Sequence, residues 1–91
     1  MREKEIEMYL VKRVKSLGGL CYKFTSPNGA GVPDRIVILN GRLHFFELKA
    51  TGQKPRPLQV IQIERLRSQG QIVRVADSKE KIDEYLEVMM C

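Results

Sequence analysis

Residues that build metal clusters and disulfide frameworks are scarce: the 91-residue chain holds two cysteines and one histidine. Cys21 lies in an alternating stretch and Cys91 at the far end of the sequence, a spacing that suits neither a zinc ligand set nor a disulfide scaffold. A reducing compartment is therefore expected. No window approaches the ~20 consecutive apolar residues of a membrane-spanning helix, so a membrane is not among the expected partners. Met1-Arg2-Glu3-Lys4-Glu5 runs into an amphipathic pattern rather than an apolar signal segment, which points to a protein that works in the cytoplasm where it is made. Internal repeats and low-complexity stretches are also missing. A chain this short builds one domain, 1–91, with a modest core.

What is plentiful is positive charge. Sixteen lysines and arginines against eleven acids give a net charge of +5 and a pI near 9.5, a balance that favours a polyanionic partner, most commonly nucleic acid. Hydrophobic residues at 43% and charged residues at 30% are the proportions of a folded globular domain. No small-molecule cofactor is expected.

The most informative stretch runs from Pro33 to Lys49. Two apolar runs, Ile36-Val37-Ile38-Leu39 and Leu43-His44-Phe45-Phe46, meet at Asn40-Gly41, the pair best able to supply the two positive φ angles of a type I′ turn. With those two as the loop, Leu39 pairs with Arg42, Ile38 with Leu43, Ile36 with Phe45 and Asp34 with Glu47. Two carboxylates then stand directly opposite each other, about 4.5–5.5 Å apart at Cβ, and repel unless a cation compensates. Period-2 alternation brings Lys49 onto the same face.

Hard oxygen ligands placed so suit Mg²⁺ or Mn²⁺, with waters and substrate phosphate oxygens completing the shell. Such an ion polarises a phosphoryl oxygen and acidifies a bound water. The Lys49 ammonium can orient that water or neutralise charge developing on the phosphate. Without the pairing, Glu47 and Lys49 are an ordinary solvated pair; the register is what makes the cluster specific.

Around the hairpin, Glu3 to Leu17 reads as a helix, with Ile6, Leu10, Val14 and Leu17 at helical spacing and Gly18-Gly19 as the stop. Glu7 falls in the row of Leu10, Val11 and Val14, and periodicity alone leaves it either exposed beside Lys4 or bordering the buried stripe. Leu20 to Thr25 alternates as a half-buried strand. Ser26 to Val32 is turn chemistry whose glycines permit close backbone approach, and it delivers the chain to Asp34, which makes Ser26 and Asn28 candidate phosphate contacts together with Lys23. Both faces of the hairpin are apolar, which predicts a central strand pair covered on both sides. His44 points away from the carboxylates and is expected to be a packed or surface histidine.

Beyond Lys49, Lys54 and Arg56 lie in a basic loop placed to contact DNA. Leu58 to Gln69 forms a second helix, opened by Pro57 and closed by Gly70, with Gln59 on the face of Gln62, Ile63 and Leu66. Gln71 to Ala76 is a short strand apolar enough to be internal. Asp77 and Glu80 suggest a capping box for a last helix striped by Ile82, Tyr85, Leu86 and Met89, and Met89 with Met90 is a candidate self-association surface.

These residues resemble a known signature. Gly31-Val32-Pro33-Asp34, followed thirteen positions after Asp34 by Glu47-Leu48-Lys49, is similar to the PD-(D/E)xK nuclease motif. The chain as a whole, from the helix bearing Glu7 to the helix bearing Gln59, resembles the VRR-NUC branch, the virus-type replication-repair nucleases. The resemblance implies an α/β restriction-endonuclease-like core, in agreement with the order αβββαβα and the mixed, helix-flanked sheet read from the elements. It implies a Mg²⁺- or Mn²⁺-dependent DNA endonuclease in which Asp34, Glu47 and the Leu48 carbonyl bind metal and Lys49 positions the attacking water. Glu7 and Gln59 complete the site by the same resemblance, with Glu3 or Glu5 competing for the first role and Gln62 for the second. Small members resemble junction-resolving enzymes, which implies branched, four-way-junction DNA, a homodimer with two symmetric sites, and work inside a prokaryotic or phage-infected cell. A nicking or flap-directed nuclease, or a non-catalytic nucleic-acid-binding module on the same fold, are the other readings.

Overall fold

A computed structural model describes residues 1–91. The order is α1 (Glu3–Ser16), β1 (Leu20–Lys23), β2 (Arg35–Leu39), β3 (Arg42–Leu48), α2 (Pro57–Ser68), β4 (Val73–Ala76) and α3 (Lys79–Met90). The four strands form one mixed sheet in the spatial order β1-β2-β3-β4, antiparallel except for the β3–β4 pair. A parallel neighbour needs a long crossover, and α2 supplies it.

The hairpin sets the frame. Asn40 and Gly41 take φ of 53° and 73°, the two positive angles of a type I′ turn. The resulting register is the expected one, with Leu39 opposite Arg42, Ile38 opposite Leu43 and Ile36 opposite Phe45. Because strand side chains alternate, Val37, Leu39, Phe46 and Leu48 all fall on one face and are buried there against Ile6, Leu10 and Val14 of α1 and Ile82, Leu86 and Met89 of α3. Ile6, Leu10 and Val14 recur at helical spacing, so one stripe of α1 enters the core and contributes about 1.5–3 kcal/mol per fully buried aliphatic side chain. His44 is buried on this face too, away from the carboxylates, as expected.

The opposite face departs from the sequence expectation. α2 covers its β3–β4 side through the buried Ile63, but Leu20 and Tyr22 of β1 and Leu43 at the start of β3 remain exposed. The hairpin is central in the sheet, as its apolarity suggested, yet its second face is only partly covered. β4 is an edge strand rather than an internal one; its apolar residues are explained by helix cover on both faces, not by a further strand. β1 is shorter than the alternating stretch, because Phe24 to Thr25 already belongs to the loop that leads to Asp34.

Two further expectations are corrected at α3. Its N-cap is Ser78, whose hydroxyl accepts from the Lys81 N–H at 3.2 Å, so the helix starts one residue later than an Asp77 cap would give. Asp77 instead accepts from the Gly52 N–H (3.0 Å) and pairs with Lys81 (3.1 Å). Met89 is fully buried in the core and only Met90 is exposed, so the two do not form a joint surface.

Candidate active site

Pro33, buried and unable to donate a hydrogen bond, ends the loop after β1, and Asp34 follows at the mouth of β2. The Phe24 N–H donates to the Asp34 carbonyl (2.9 Å), and the Leu48 N–H donates to Asp34 Oδ2 (3.0 Å). Asp34 thus closes the hairpin one step beyond its last backbone pair, on the face where Glu47 also stands. In an extended strand the N–H and C=O of one residue point to the same side, so the Leu48 carbonyl faces the Asp34 side as well.

Glu47 is the centre of the cluster and is only 1% exposed. Lys49 Nζ lies 3.3 Å from Glu47 Oε2, and Gln59 Nε2 donates to that same oxygen at 2.8 Å. The Gln59 amide has no freedom to flip: its Oε1 accepts the Arg56 N–H at 2.8 Å, capping α2, so its NH₂ must face the carboxylate. Both partners of Glu47 therefore crowd one oxygen. Oε1 is buried with no partner at all.

The electrostatics follow from that crowding. Burial, and then the charge of Asp34, push the Glu47 carboxyl up to about 7, against the downward pull of Lys49. Burial also raises Asp34, with the Leu48 N–H opposing and the charges of Glu3 and Glu7 adding to the rise. Two carboxyls that resist ionisation stand side by side, one with a buried oxygen that has no partner, and a cation there would offset their charge. The Asp34 and Glu47 oxygens left free and the Leu48 carbonyl are hard oxygen donors of the kind Mg²⁺ or Mn²⁺ takes, with water filling the remaining positions.

No family profile matches the sequence. Over 81 residues the chain is 48% identical to the protein named "Putative nuclease p44" of Acyrthosiphon pisum secondary endosymbiont phage 1, covering 88% of this chain and 87% of that one. A solved structure described as a VRR_NUC domain superposes with a TM-score of 0.85 at 36% identity, over 93% of this chain and 94% of that one. The chain belongs to the VRR-NUC family. The mixed sheet and the order αβββαβα are those of the restriction-endonuclease-like fold that membership brings.

The other candidate residues of this VRR-NUC chain fall into place unevenly. Gln59, not Gln62, reaches Glu47. Glu7 is half-buried and accepts from Arg35 Nε at 2.8 Å, so it borders the site through an ion pair rather than pointing free into it. Glu3, in the first turn of α1, is exposed, and its charge acts on both Asp34 and Glu47. Glu5 is spent on the Arg2 N–H (3.1 Å) and takes no part.

Of the DNA-contact candidates, Asn28, Lys54 and Arg56 are exposed and Ser26 half-buried, all in the two loops that flank Asp34 and Lys49. Lys23 does not join them: it pairs with Arg35, on the face opposite Tyr22, Ile36 and Asp34. The loop holding Ser26 and Asn28 is pinned by Gly31, at φ 87°, where an added Cβ would meet the Leu58 carbonyl group and the Gln59 nitrogen at 3.0–3.1 Å. A small cavity of about 210 Å³ lined by Ala30, Gly31, Arg56, Leu58 and Gln59 lies at this contact. The largest concavity, about 590 Å³ along the outer face of α1, contains none of the cluster. Two participants escaped the sequence reading. Arg35 looked like a routine strand residue, and its only signal was a cation one step from Asp34 on the alternate face. The Leu48 N–H has no side-chain signature at all.

Proposed function

We propose that this chain is a metal-dependent DNA endonuclease that hydrolyses phosphodiester bonds. The observation that carries the reading is the Glu47 carboxylate: it is buried beside Asp34, held on one oxygen by Lys49 and Gln59, and left unpartnered on the other. A structural ion pair would satisfy both oxygens; a catalytic ligand needs one free.

In this reading Asp34, Glu47 and the Leu48 carbonyl hold Mg²⁺ or Mn²⁺, which when bound polarises the scissile phosphate and makes water a better nucleophile. The Leu48 N–H fixes the Asp34 carboxylate, and Gln59 fixes Glu47, so neither ligand reorganises during the reaction. Lys49 directs the attacking water at phosphorus and offsets the charge gathering on the phosphoryl oxygens. The water oxygen bonds to phosphorus as the opposite ester P–O bond breaks, and its proton leaves to solvent. Asn28, Ser26, Lys54 and Arg56 grip phosphates on either side. Lys23 is positioned for an outlying phosphate at most. Glu7 supports the site through Arg35, and Glu3 tunes the field at both ligands.

The substrate proposed is branched DNA, with a four-way junction cut by a homodimer, because opposed incisions on two strands require two sites related by symmetry. Such an enzyme works inside the cell that holds its DNA. The deciding experiment is cleavage of a labelled four-way junction beside matched duplex in Mg²⁺ or Mn²⁺, comparing wild type with Lys49→Ala. Paired symmetric incisions that the variant loses, with a sedimentation mass of two chains, support the full reading. Equal cutting of both DNAs, or a mass of one chain, removes the junction claim and leaves a nicking or flap-directed nuclease. Binding without metal-dependent cutting by folded protein identifies a non-catalytic binding module.

A further inference from the structure

The uncovered part of the sheet lies directly beneath the carboxylate cluster. Tyr22 pairs with Ile36, and Ile36 with Phe45, so these three make a row across three strands. Asp34 and Glu47 occupy the next row, two residues on. Diagonal neighbours of this kind, such as Tyr22 and Asp34, stand about 7–8 Å apart. Below the carboxylate row no side chain on this face carries a charge: the next row is Leu20, Ile38 and Leu43. Tyr22 is 54% exposed, Leu20 49% and Leu43 43%. The Tyr22 hydroxyl makes no hydrogen bond in the fold, and its ring joins neither aromatic pair, although one of them, Phe24 with Phe45 at 5.4 Å, lies alongside.

Size and position decide what covers such a face. Three strands about 4.8 Å apart and two side-chain rows give a platform of about 200 Å². A stable interface between two copies takes about 800 Å² from each partner, and two chains of like charge meeting there would have to bring their basic loops together. One or two nucleobases fit the platform, and the phosphate that carries them would lie over Asp34 and Glu47. A paired base cannot reach it, because its faces are occupied within the duplex stack.

We propose that Tyr22 and the apolar row beside it form a stacking platform for an unpaired base next to the scissile phosphate, so that the favoured substrate is DNA with unpaired nucleotides at the cut. This deepens the nuclease reading and rests on it for the placement of the phosphate; a four-way junction meets it only by opening a base pair at the branch point. Each aromatic–base stack is worth enough that its loss weakens binding roughly 5- to 150-fold.

The test uses an unpaired 2-aminopurine in an otherwise duplex DNA, with a fully paired control, and measures both fluorescence in EDTA and cleavage in Mg²⁺. Wild type and Tyr22→Phe should quench the unpaired probe, and Tyr22→Ala should lose the quench and bind that DNA 5- to 150-fold more weakly while binding the paired control unchanged. Because the quench is read without metal, it decides the stacking even if no DNA is cut, in which case only the nuclease reading fails. Cleavage with no quench, or equal binding by Tyr22→Ala and wild type, overturns the platform and leaves the nuclease standing. A change in sedimentation mass on Tyr22→Ala, with the quench unaffected, overturns it too and assigns the face to a second copy. Tyr22 is half out of the fold, so the variant should keep its melting temperature, and Leu43→Gln in the adjoining row provides a second reading with a smaller loss of quench.

Discussion

The Leu48 N–H donates to Asp34 Oδ2 across 3.0 Å, so a backbone group of one hairpin strand fixes the carboxylate carried by the other. A carboxylate oxygen is used here where a ladder carbonyl would ordinarily accept, and an amide oxygen can accept equally well. Asp34→Asn should therefore keep the hairpin intact and lose only the charge. Its melting temperature should stay within a few degrees of wild type while metal-dependent cleavage falls by at least 100-fold. Asp34→Ala, which leaves the Leu48 N–H unpaired, should add about 1–3 kcal/mol of destabilisation to the same loss of activity. Thermal denaturation run beside a cleavage assay separates the two effects.

Gln59 does two things at once, donating to Glu47 and accepting the N–H of the N-cap residue Arg56. Gln59→Ala removes both, and the lost hydrogen bond to Arg56 alone should cost about 0.5–1.5 kcal/mol. Gln59→Glu retains the acceptor for Arg56 but replaces the donor with a carboxylate facing Glu47. The expected outcome is an opposite split: the glutamate variant keeps more of the helix stability and less of the activity than alanine. A glutamate variant as active as wild type would show that the contact to Glu47 is incidental.

The residues that made the site legible are those whose position follows from period and turn chemistry. Asn40-Gly41 allowed one register, and that register alone brought Asp34, Glu47 and Lys49 together. Gln59 was visible as a polar residue on an apolar helix face. The uncovered sheet face was not visible, because an apolar row reads the same whether a helix covers it or a ligand does. Nor was the edge position of β4, since α2 and α3 provide the burial that a neighbouring strand would have supplied. Glu7 and Glu3 were hard to rank because helix periodicity gives direction about the axis and not the distance to a strand; Arg35, which settles where Glu7 goes, is 28 residues away in sequence.

That ion pair gives a prediction of its own. Glu7 and Arg35 are both mostly shielded from solvent, and a hydrogen bond between charged groups in such a place is worth about 1.5–3 kcal/mol. Glu7→Ala, which removes the acceptor, should lose about that much stability, and its loss of cleavage should be recovered in part by lowering the assay temperature. Glu3, exposed and unpaired by any side chain, should behave in the opposite way: Glu3→Gln leaves the melting temperature unchanged and alters metal affinity. If the two variants exchange these phenotypes, Glu7 rather than Glu3 acts on the metal ligands.

The raised Glu47 carboxyl links proton, metal and stability. Its folded value of about 7 lies above its ordinary 4.5, so between those values the folded chain holds a proton that the unfolded chain has released. Stability from this group is therefore fully present below the ordinary value and is lost as pH rises through 7. His44 works in the opposite sense over part of that range, because burial lowers its pKa and acid then favours unfolding; the difference between wild type and Glu47→Gln isolates the carboxylate. A divalent cation reverses the Glu47 trend by taking the ionised form. Below pH 7 its binding must displace about one proton, so metal affinity should rise roughly tenfold per pH unit up to that point and then level off. Mg²⁺ or Mn²⁺ should accordingly raise the melting temperature of wild type more at pH 8 than at pH 6, and should not raise that of Glu47→Gln at either. A metal shift that is the same at both pH values, in protein whose Glu47→Gln variant still responds, would place the cation elsewhere.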